Sequence, residues 1–263
     1  MTDAPGRRNA RGLLYGLGAY GSWGVFPAFF PLLKPAGPTE ILAHRVLWTV
    51  LLMGAVLAFG RRWGDIRRIS ARTWLLLACA SALISTNWLI YIYAVNSGHV
   101  VDAALGYFIN PLVSVLLGAA IFAERLNRVQ GVAVAIAAAA VVLLATGMGG
   151  SPVIALGLAL SFALYGAVKK VVPVDPRVSV AMETAIAAPF ALGYLVMLQH
   201  SGHSQFANHG AGHIALMLLC GPVTAIPLLF FAAAAQRLPL VTIGLLQYLT
   251  PSMQMTWGLV VGN

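Results

Sequence analysis

Residues 101–123 read VDAALGYFINPLVSVLLGAAIFA, an apolar run with one charged side chain, Asp102, near its start. A membrane-spanning helix needs about 20 mostly apolar residues, and this run meets that requirement. Strands of a membrane barrel instead alternate polar and apolar residues over about 10 positions. The run therefore predicts a helix that crosses a lipid bilayer.

The composition of the whole chain excludes a soluble domain. Of the 263 residues, 60% are hydrophobic and 9% are charged, whereas soluble domains are about 45–50% apolar and about 25% charged. A soluble protein of this size could not bury so much apolar side chain. The net charge of +9 would suggest nucleic acid in a soluble chain. Here the basic residues cluster between apolar runs, so we expect the lipid bilayer as partner and no nucleic acid.

Nine apolar runs of this kind divide the sequence, which predicts about nine transmembrane helices. Only helices or closed barrels pair every backbone polar group in lipid, so we expect an all-α integral membrane protein, a polytopic helix bundle. The runs cover about 12–33, 38–60, 74–95, 101–123, 129–147, 152–172, 179–199, 212–236 and 240–261.

The basic residues alternate between the connections. Fourteen Lys and Arg lie before the first run or in the even-numbered connections, and one, Lys34, lies in an odd-numbered connection. Cytoplasmic loops carry an excess of Lys and Arg. The pattern therefore predicts a multi-pass membrane protein with its N-terminus in the cytoplasm.

A shift of 140 residues aligns the fourth run with the ninth and places Asn110-Pro111 on Thr250-Pro251. Five helices separate equivalent positions, and because five is odd, the second half must enter the membrane in the opposite orientation. Inverted repeats are common in secondary transporters. We therefore predict two inverted five-helix repeats, residues 1–147 and residues 148–263. Chance similarity between Ala- and Leu-rich helices is the alternative.

The second repeat is expected to lack its last helix. The fourth run is followed by Glu124, and the equivalent position would be residue 264, one past Asn263. Two repeats of five give a ten-helix fold, whereas about nine helices are present here. We therefore expect a truncated chain, with a naturally nine-helix protein as the alternative.

Ionisable and polar side chains inside the runs are the candidates for a solute pathway, because such groups are costly in a membrane and face a partner or a cavity. Arg45 would hold an anionic group of a solute, or would pair with Glu40 or Glu183. A structural ion pair is the alternative. The predicted substrate-binding residues are His44, Arg45, Asn87, Trp88, Tyr107, Asn110, Glu183, Gln247 and Tyr248.

Four prolines are candidate helix breaks or gates. Proline removes one backbone hydrogen bond and can kink a helix, and broken helices at equivalent places in two halves mark binding sites in transporters. These residues are Pro27, Pro111, Pro227 and Pro251.

Motifs for enzymatic or metal chemistry are missing. The sequence has no HExxH, no GxSxG and no P-loop. Three histidines lie between His200 and Ala211, but they lack the carboxylates or thiols that would strengthen a metal site. We therefore expect no catalytic residue, no cofactor and no metal.

Several motifs together resemble the RarD family, which belongs to the drug/metabolite transporter superfamily with EamA-type repeats. The resemblance implies ten helices in two inverted repeats, both termini in the cytoplasm, and a central cavity serving alternating access. It also implies inner-membrane transport of small metabolites or drugs. The motifs are EILAHR at 40–45, Asn87-Trp88, ALGYFINPL at 104–112, Glu124-Arg125, ALSFALYG at 159–166 and QYLTP at 247–251.

The leading hypothesis is a secondary transporter that exports or exchanges a small, amphipathic or anionic solute. Protons are a candidate coupling ion through Glu183 or His44, since Glu and His change charge when desolvated. The alternatives are a passive channel or facilitator, a membrane-embedded lipid-modifying enzyme, and a remnant that does not transport. A homo-oligomer stays open at this point.

Overall fold

The computed structural model describes residues 5–147 and 152–261, and it shows an all-α protein. No strand occurs in these two segments, which confirms the predicted fold class. The predicted boundary between the repeats adjoins residues 148–151, which lie outside the described residues, as does Asn263. In chain order the elements are α1 (Pro5–Gly24), α2 (Phe26–Phe29), a 3₁₀ turn (Phe30–Leu33), α3 (Pro38–Phe59), α4 (Trp63–Arg67), α5 (Ala71–Asn96), α6 (Val100–Phe122), α7 (Arg128–Gly147), α8 (Pro152–Val171), α9 (Pro176–His200), α10 (Gly210–Ala235), α11 (Leu240–Gln247) and α12 (Leu249–Val261).

Six of the described helices are long and apolar enough to cross a bilayer, namely α3, α5, α6, α8, α9 and α10. Local sequence explains where they begin. Pro38 lies in the first turn of α3, where a missing N–H costs nothing. The Ser70 hydroxyl accepts a 3.2 Å hydrogen bond from the backbone N–H of Thr73, which caps the start of α5. The chain is a multi-pass membrane protein.

The first and last predicted runs are each broken once. Pro27 lies in the first turn of α2, directly after the break that ends α1. Tyr248 alone separates α11 from α12, and Pro251 lies in the first turn of α12. By contrast, α6 and α10 continue through Pro111 and Pro227. Neighbouring helices let a membrane helix tolerate such a residue, so these two prolines do not end a helix.

Loops and side chains tie the helices together at two ends of the bundle. At the upper end, where α3 and α6 begin and α5 and α9 end, Glu40 accepts a 2.8 Å hydrogen bond from the backbone N–H of Gln205. At the lower end, where α6 ends and α11 begins, Glu124 accepts hydrogen bonds of 2.9 Å from the backbone N–H groups of Leu240 and Val241.

The helix pairs that pack together fall into a pattern. Each of three contacts recurs between the corresponding helices of the two predicted repeats. The contact of α6 with α8 corresponds to that of α1 with α11 and α12, and the contact of α5 with α8 corresponds to that of α1 with α10. The contact of α5 with α9 corresponds to that of α3 with α10. Two further pairs, α3 with α9 and α6 with α11, join corresponding helices of the two predicted repeats. The helices of the two halves are therefore interleaved rather than packed as two separate bundles.

An aromatic cluster occupies the middle of the bundle. The rings of Tyr165 and Phe231 stack with centroids 5.5 Å apart. Phe162 and Tyr20 pack on Phe231 at 5.4 Å and 6.1 Å. Aromatic pairs at these separations are attractive beyond their buried area. Tyr20 and Phe162 of this cluster also line a cavity in the upper half of the bundle.

Candidate functional site

The central cavity has a volume of about 270 Å³ and lies in the upper half of the bundle. Residues of α1, α2, α3, α5, α6, α8, α11 and α12 line it, together with Phe30 of the 3₁₀ turn. Tyr20 and Phe162 of the aromatic cluster form its floor, and it reaches Val100 at the start of α6, which is 53% exposed. Both predicted halves therefore contribute to one cavity.

Five of the nine predicted substrate-binding residues line this cavity, and so does Pro251. They come from α3, α5, α6 and α11, which are distant in sequence, and the fold brings them together. These five are Arg45, Asn87, Trp88, Tyr107 and Gln247.

Arg45 provides the positive charge of the cavity. Its guanidinium carbon lies 4.7 Å from the ring centroid of Trp88, 5.5 Å from that of Phe30 and 5.9 Å from that of Phe26. Its Nε donates a 3.0 Å hydrogen bond to Oγ1 of Thr224. A cation over an aromatic face is attracted by the ring quadrupole. The surrounding rings therefore hold the guanidinium without neutralising its charge.

The ion pair that sequence allowed for Arg45 does not form. Glu40 accepts from the α9–α10 loop, and Glu183 pairs with Lys169 at 2.6 Å. The other carboxylates in the described segments also have partners elsewhere, namely Asp65 with Arg62, Asp102 with His99, Glu124 with Lys170, and Asp175 with Arg62 and Arg177.

Asn87 and Tyr107 form a polar link between α5, α6 and α8. The Asn87 Nδ2 donates hydrogen bonds of 3.0 Å to the backbone oxygen of Leu158 and to Oγ of Ser161. The Tyr107 hydroxyl donates to the Asn87 Oδ1 at 3.4 Å. Asn87 is therefore mainly a positioning residue, while the Tyr107 ring forms part of the cavity wall.

Two polar side chains at the cavity lack hydrogen-bond partners among the described residues; the sequence predicts one of them, Gln247, and not the other, Tyr20. The Tyr20 hydroxyl is buried and has no hydrogen-bond partner, and Gln247 is 5% exposed and its amide makes no hydrogen bond to any described residue. Both line the cavity. Buried polar groups nearly always have partners, so these two groups are available to a bound solute. Tyr20 had no signal in the sequence, because its run is full of other aromatic residues.

Asn110 and Tyr248 join helices instead of lining the cavity. The Asn110 amide donates a 2.6 Å hydrogen bond to the backbone oxygen of Ala159 in α8. The Tyr248 hydroxyl donates to the backbone oxygen of Phe108 in α6 at 3.2 Å. Polar groups in membrane helices commonly serve such contacts between helices.

Glu183 lies away from the cavity in a buried ion pair. The Glu183 side chain is 4% exposed and that of Lys169 is 0% exposed. The hydroxyls of Ser179 and Tyr165 also donate to its carboxylate, at 2.6 Å and 3.2 Å. The charge pattern assigns Lys169 to a cytoplasmic connection, and this assignment is wrong: Lys169 lies inside α8 and pairs with Glu183 of α9.

His44 lies beside the upper loop rather than in the cavity. Its ring stacks on Phe206 with centroids 4.6 Å apart, and its Nδ1 accepts a 3.1 Å hydrogen bond from Nε1 of Trp48. The Nε2 atoms of His44 and His213 are buried without a partner. No group of three or more potential metal ligands occurs in the described part of the chain.

The lower end is closed by the Glu124 carboxylate and two lysine-linked contacts. Lys170 approaches Glu124 at 3.2 Å and donates to the backbone oxygen of Leu238 at 2.8 Å. The Gln236 amide donates to the backbone oxygen of Val174 at 2.8 Å. We call Glu124, Lys170 and the α11 N-terminus the lower closure. Sequence reasoning placed Glu124 in a motif without assigning this role.

A second, larger space of about 480 Å³ lies on the side of the bundle between α3, α5 and α9. Its lining is apolar apart from hydroxyl groups and carries no charged side chain. Leu89 and Phe190 on its rim are 57% and 81% exposed. Trp88 borders both spaces. Because convergent polar groups mark a ligand site, the smaller central cavity is the candidate functional site.

The chain is similar to one protein family in sequence and to a solved structure in fold. Residues 10–146 match the EamA-like transporter family. A solved crystal structure superposes with a TM-score of 0.73 at 21% sequence identity, covering 97% of this chain and 90% of that chain. That likeness shows the fold.

Curated relatives are similar over nearly the whole chain. Protein RarD of Streptomyces exfoliatus is 51% identical over 251 residues, which are 95% of this chain and 80% of that protein. The uncharacterized transporter YojE of Bacillus subtilis is 45% identical over 257 residues, covering 95% of this chain and 85% of that protein. Protein RarD of Escherichia coli is 39% identical over 249 residues, which cover 94% of this chain and 84% of that protein.

Proposed function

Because this chain belongs to the EamA-like transporter family and is similar to RarD proteins, we propose that it is a secondary transporter of small solutes. The proposed mechanism is alternating access, in which the central cavity is exposed at one membrane face at a time. The proposed mode of transport is export or exchange of metabolites. A cavity of about 270 Å³ lies just below the usual range for drug-sized ligands, about 300–1,000 Å³, which favours small metabolites.

One observation carries this proposal. The cavity is lined by both halves of the chain and reaches the upper end at Val100, while the lower closure seals the opposite end. A pathway that is joined by contacts at one end and reached by a cavity from the other supports alternating access over a permanently open channel. A structure open at one end and closed at the other is one of the two states that alternating access needs.

The inverted repeat is supported by matched hydrogen bonds. Asn110 donates to the backbone oxygen of Ala159, joining α6 to α8. Thr250, which the 140-residue shift places on Asn110, donates to the backbone oxygen of Tyr20 at 2.8 Å, joining α12 to α1. Tyr248, the counterpart of Phe108, contacts that residue directly. These contacts favour two repeats divided near residues 147 and 148.

The orientation follows from the basic residues. Apart from Lys169, which is buried inside α8, the cations that the sequence assigns to the N-terminus and the even-numbered connections belong to the lower end of the bundle. Cytoplasmic loops of membrane proteins are rich in Lys and Arg. We therefore place the lower end in the cytoplasm and the protein in the inner membrane. The structure then represents an outward-facing state. Proton coupling and homo-oligomerisation stay predictions.

Labelling of single cysteines tests alternating access without a known solute. In a protein lacking Cys79 and Cys220, Ala104→Cys reports on the cavity. Ser114→Cys reports on the closed side, because the 140-residue shift places Ser114 on the cavity residue Gln254. A membrane-impermeant maleimide is added to sealed vesicles of each orientation.

We expect Ala104→Cys to react from the outside and Ser114→Cys to react from the inside. In the double variant Ala104→Cys, Ser114→Cys, a bulky maleimide on residue 104 should suppress inner labelling of residue 114, because it holds the upper end open. A channel would leave the labelling of residue 114 unchanged. That result would refute alternating access.

A further inference from the structure

We propose that the central cavity binds monoanionic solutes with an apolar body, and that Arg45 receives the anionic group. This assignment of a substrate class rests on the proposed function, because it takes the central cavity as the transport site. The chemistry expected of the solute is one carboxylate, or another singly charged anion, on a small hydrophobic skeleton without an ammonium group.

The first reason is the set of unused donors on Arg45. A guanidinium carries five N–H donors in a planar fork, and the described contacts of Arg45 use only its Nε, which donates to Thr224. The two terminal nitrogens have no acceptor among the described residues. This leaves the geometry that binds a carboxylate through two parallel hydrogen bonds.

The second reason is the charge balance of the cavity. Arg45 is the only charged side chain among the described residues that line it. An isolated charge in a membrane interior is costly and calls for a partner, and the carboxylates of the described chain are engaged elsewhere. One negative charge on a solute would neutralise the site, whereas a dianion would leave one charge unbalanced.

The same balance disfavours zwitterions. A solute ammonium group would need a carboxylate or a set of acceptors, and no Asp or Glu lines the described cavity. It would also lie in the same small space as the Arg45 charge, and like charges repel more strongly where water is excluded. An amino acid should therefore bind less tightly than the matching acid without its amino group.

The third reason is the apolar and aromatic character of the walls. The rings of Trp88, Phe26 and Phe30 surround Arg45, and Tyr91 and Tyr107 face the same space with centroids 5.9 Å apart. Aromatic walls favour a hydrophobic or aromatic body. A volume of about 270 Å³ lies just below the usual range of ligand pockets, which favours a small molecule.

Two further groups would orient the solute. The Tyr20 hydroxyl is buried without a partner, and the Gln247 amide makes no hydrogen bond to a described residue. Both line the cavity with Arg45. A buried donor without a partner is unfavourable, and a carboxylate or hydroxyl of the solute would satisfy it.

A matched series of four compounds tests the assignment. The probes are 3-phenylpropionate, its neutral amide, phenylalanine and phenylsuccinate, which share an aromatic ring and differ in charge. Binding of each to the purified full chain in lipid nanodiscs is measured by tryptophan fluorescence, since Trp23 and Trp88 line the cavity. We expect 3-phenylpropionate to bind about 10-fold or more tightly than each of the others, a difference of about 1.4 kcal/mol.

Variants separate Arg45 from a general effect of charge. Arg45→Gln should weaken 3-phenylpropionate binding by about 10- to 100-fold, as expected for a charge-assisted hydrogen bond. Arg45→Lys should retain part of it. Arg237→Gln is the matched control, because Arg237 also lies over a ring, that of Tyr15 at 5.2 Å, but far from the cavity, and binding should be unchanged. Equal binding of acid and amide, or wild-type affinity in Arg45→Gln, would overturn the assignment.

The substrate class and the proposed function can fail separately. Preferred binding of phenylalanine, with reciprocal labelling of residues 104 and 114 intact, would refute the monoanion and leave the transporter. Arg45-dependent binding of 3-phenylpropionate without reciprocal labelling would refute alternating access and leave an anion site.

Discussion

At the residue scale, two buried cations of this protein have opposite surroundings. Lys169 and Glu183 form a closed pair with two hydroxyl partners, so their charges cancel within the protein. Arg45 has aromatic neighbours and a threonine, and its charge has no counter-charge among the described residues. The sequence identified Arg45 as a cavity residue but could not separate it from Glu183, because both are simply charged residues within apolar runs.

The Lys169–Glu183 pair should be essential for stability. Glu183→Gln leaves the Lys169 ammonium buried without a counter-charge, which typically costs about 3–5 kcal/mol. We expect a lower midpoint of thermal unfolding for this variant in detergent. The double variant Lys169→Met, Glu183→Gln should recover part of the loss, because it removes the uncompensated charge. Wild-type stability in Glu183→Gln would contradict the pairing, and stability must be measured before any transport defect is ascribed to proton coupling.

At the element scale, hydropathy was sufficient to locate the helices but not to orient them. The predicted runs fall on helices, since about 20 apolar residues leave few alternatives in lipid. The rotation of each helix depends on close contacts that one sequence does not reveal. The spacing of Tyr165 and Lys169 on α8, and of Ser179 and Glu183 on α9, is four residues in each case. That spacing places each pair on one helix face. It was the one feature of the sequence that indicated the buried contacts of Lys169 and Glu183 with these two hydroxyl groups.

The contact between α6 and α8 depends on Gly106. A Cβ at this position would lie 2.8 Å from the backbone oxygen of Ala155 and 2.9 Å from Cβ of Leu158. Gly106→Ala should therefore separate the two helices and destabilise the protein by about 1–3 kcal/mol. Gly131→Ala on α7 is the control, because nothing lies within 4 Å of its Cβ, and it should be neutral. Chemical unfolding of the purified variants measures both effects. Equal midpoints would show that the close approach is not required.

At the scale of the whole molecule, three helices connect the upper cavity to the lower closure. Glu124 connects α6 with the start of α11, and Lys170 connects α8 with the same point. The same three helices, α6, α8 and α11, also line the cavity above the lower closure. Movement that opens one end is therefore expected to close the other. The resemblance to RarD proteins predicted this arrangement in general, and the residues of the closure emerged only from the fold.

The most direct test weakens the lower closure and observes the upper cavity. Glu124→Gln removes the charge that Lys170 pairs with and weakens the cap on α11, at a cost of about 1–2 kcal/mol. A change of this size shifts a two-state equilibrium by a factor of about 5–30. The measurement is the rate at which an impermeant maleimide labels Ala104→Cys from outside, with and without Glu124→Gln. The control is Arg72→Gln, which removes an exposed cation at the start of α5. We expect slower labelling of residue 104 and faster inner labelling of Ser114→Cys in the Glu124→Gln protein alone. An unchanged or faster rate at residue 104 would contradict the coupling of the two ends.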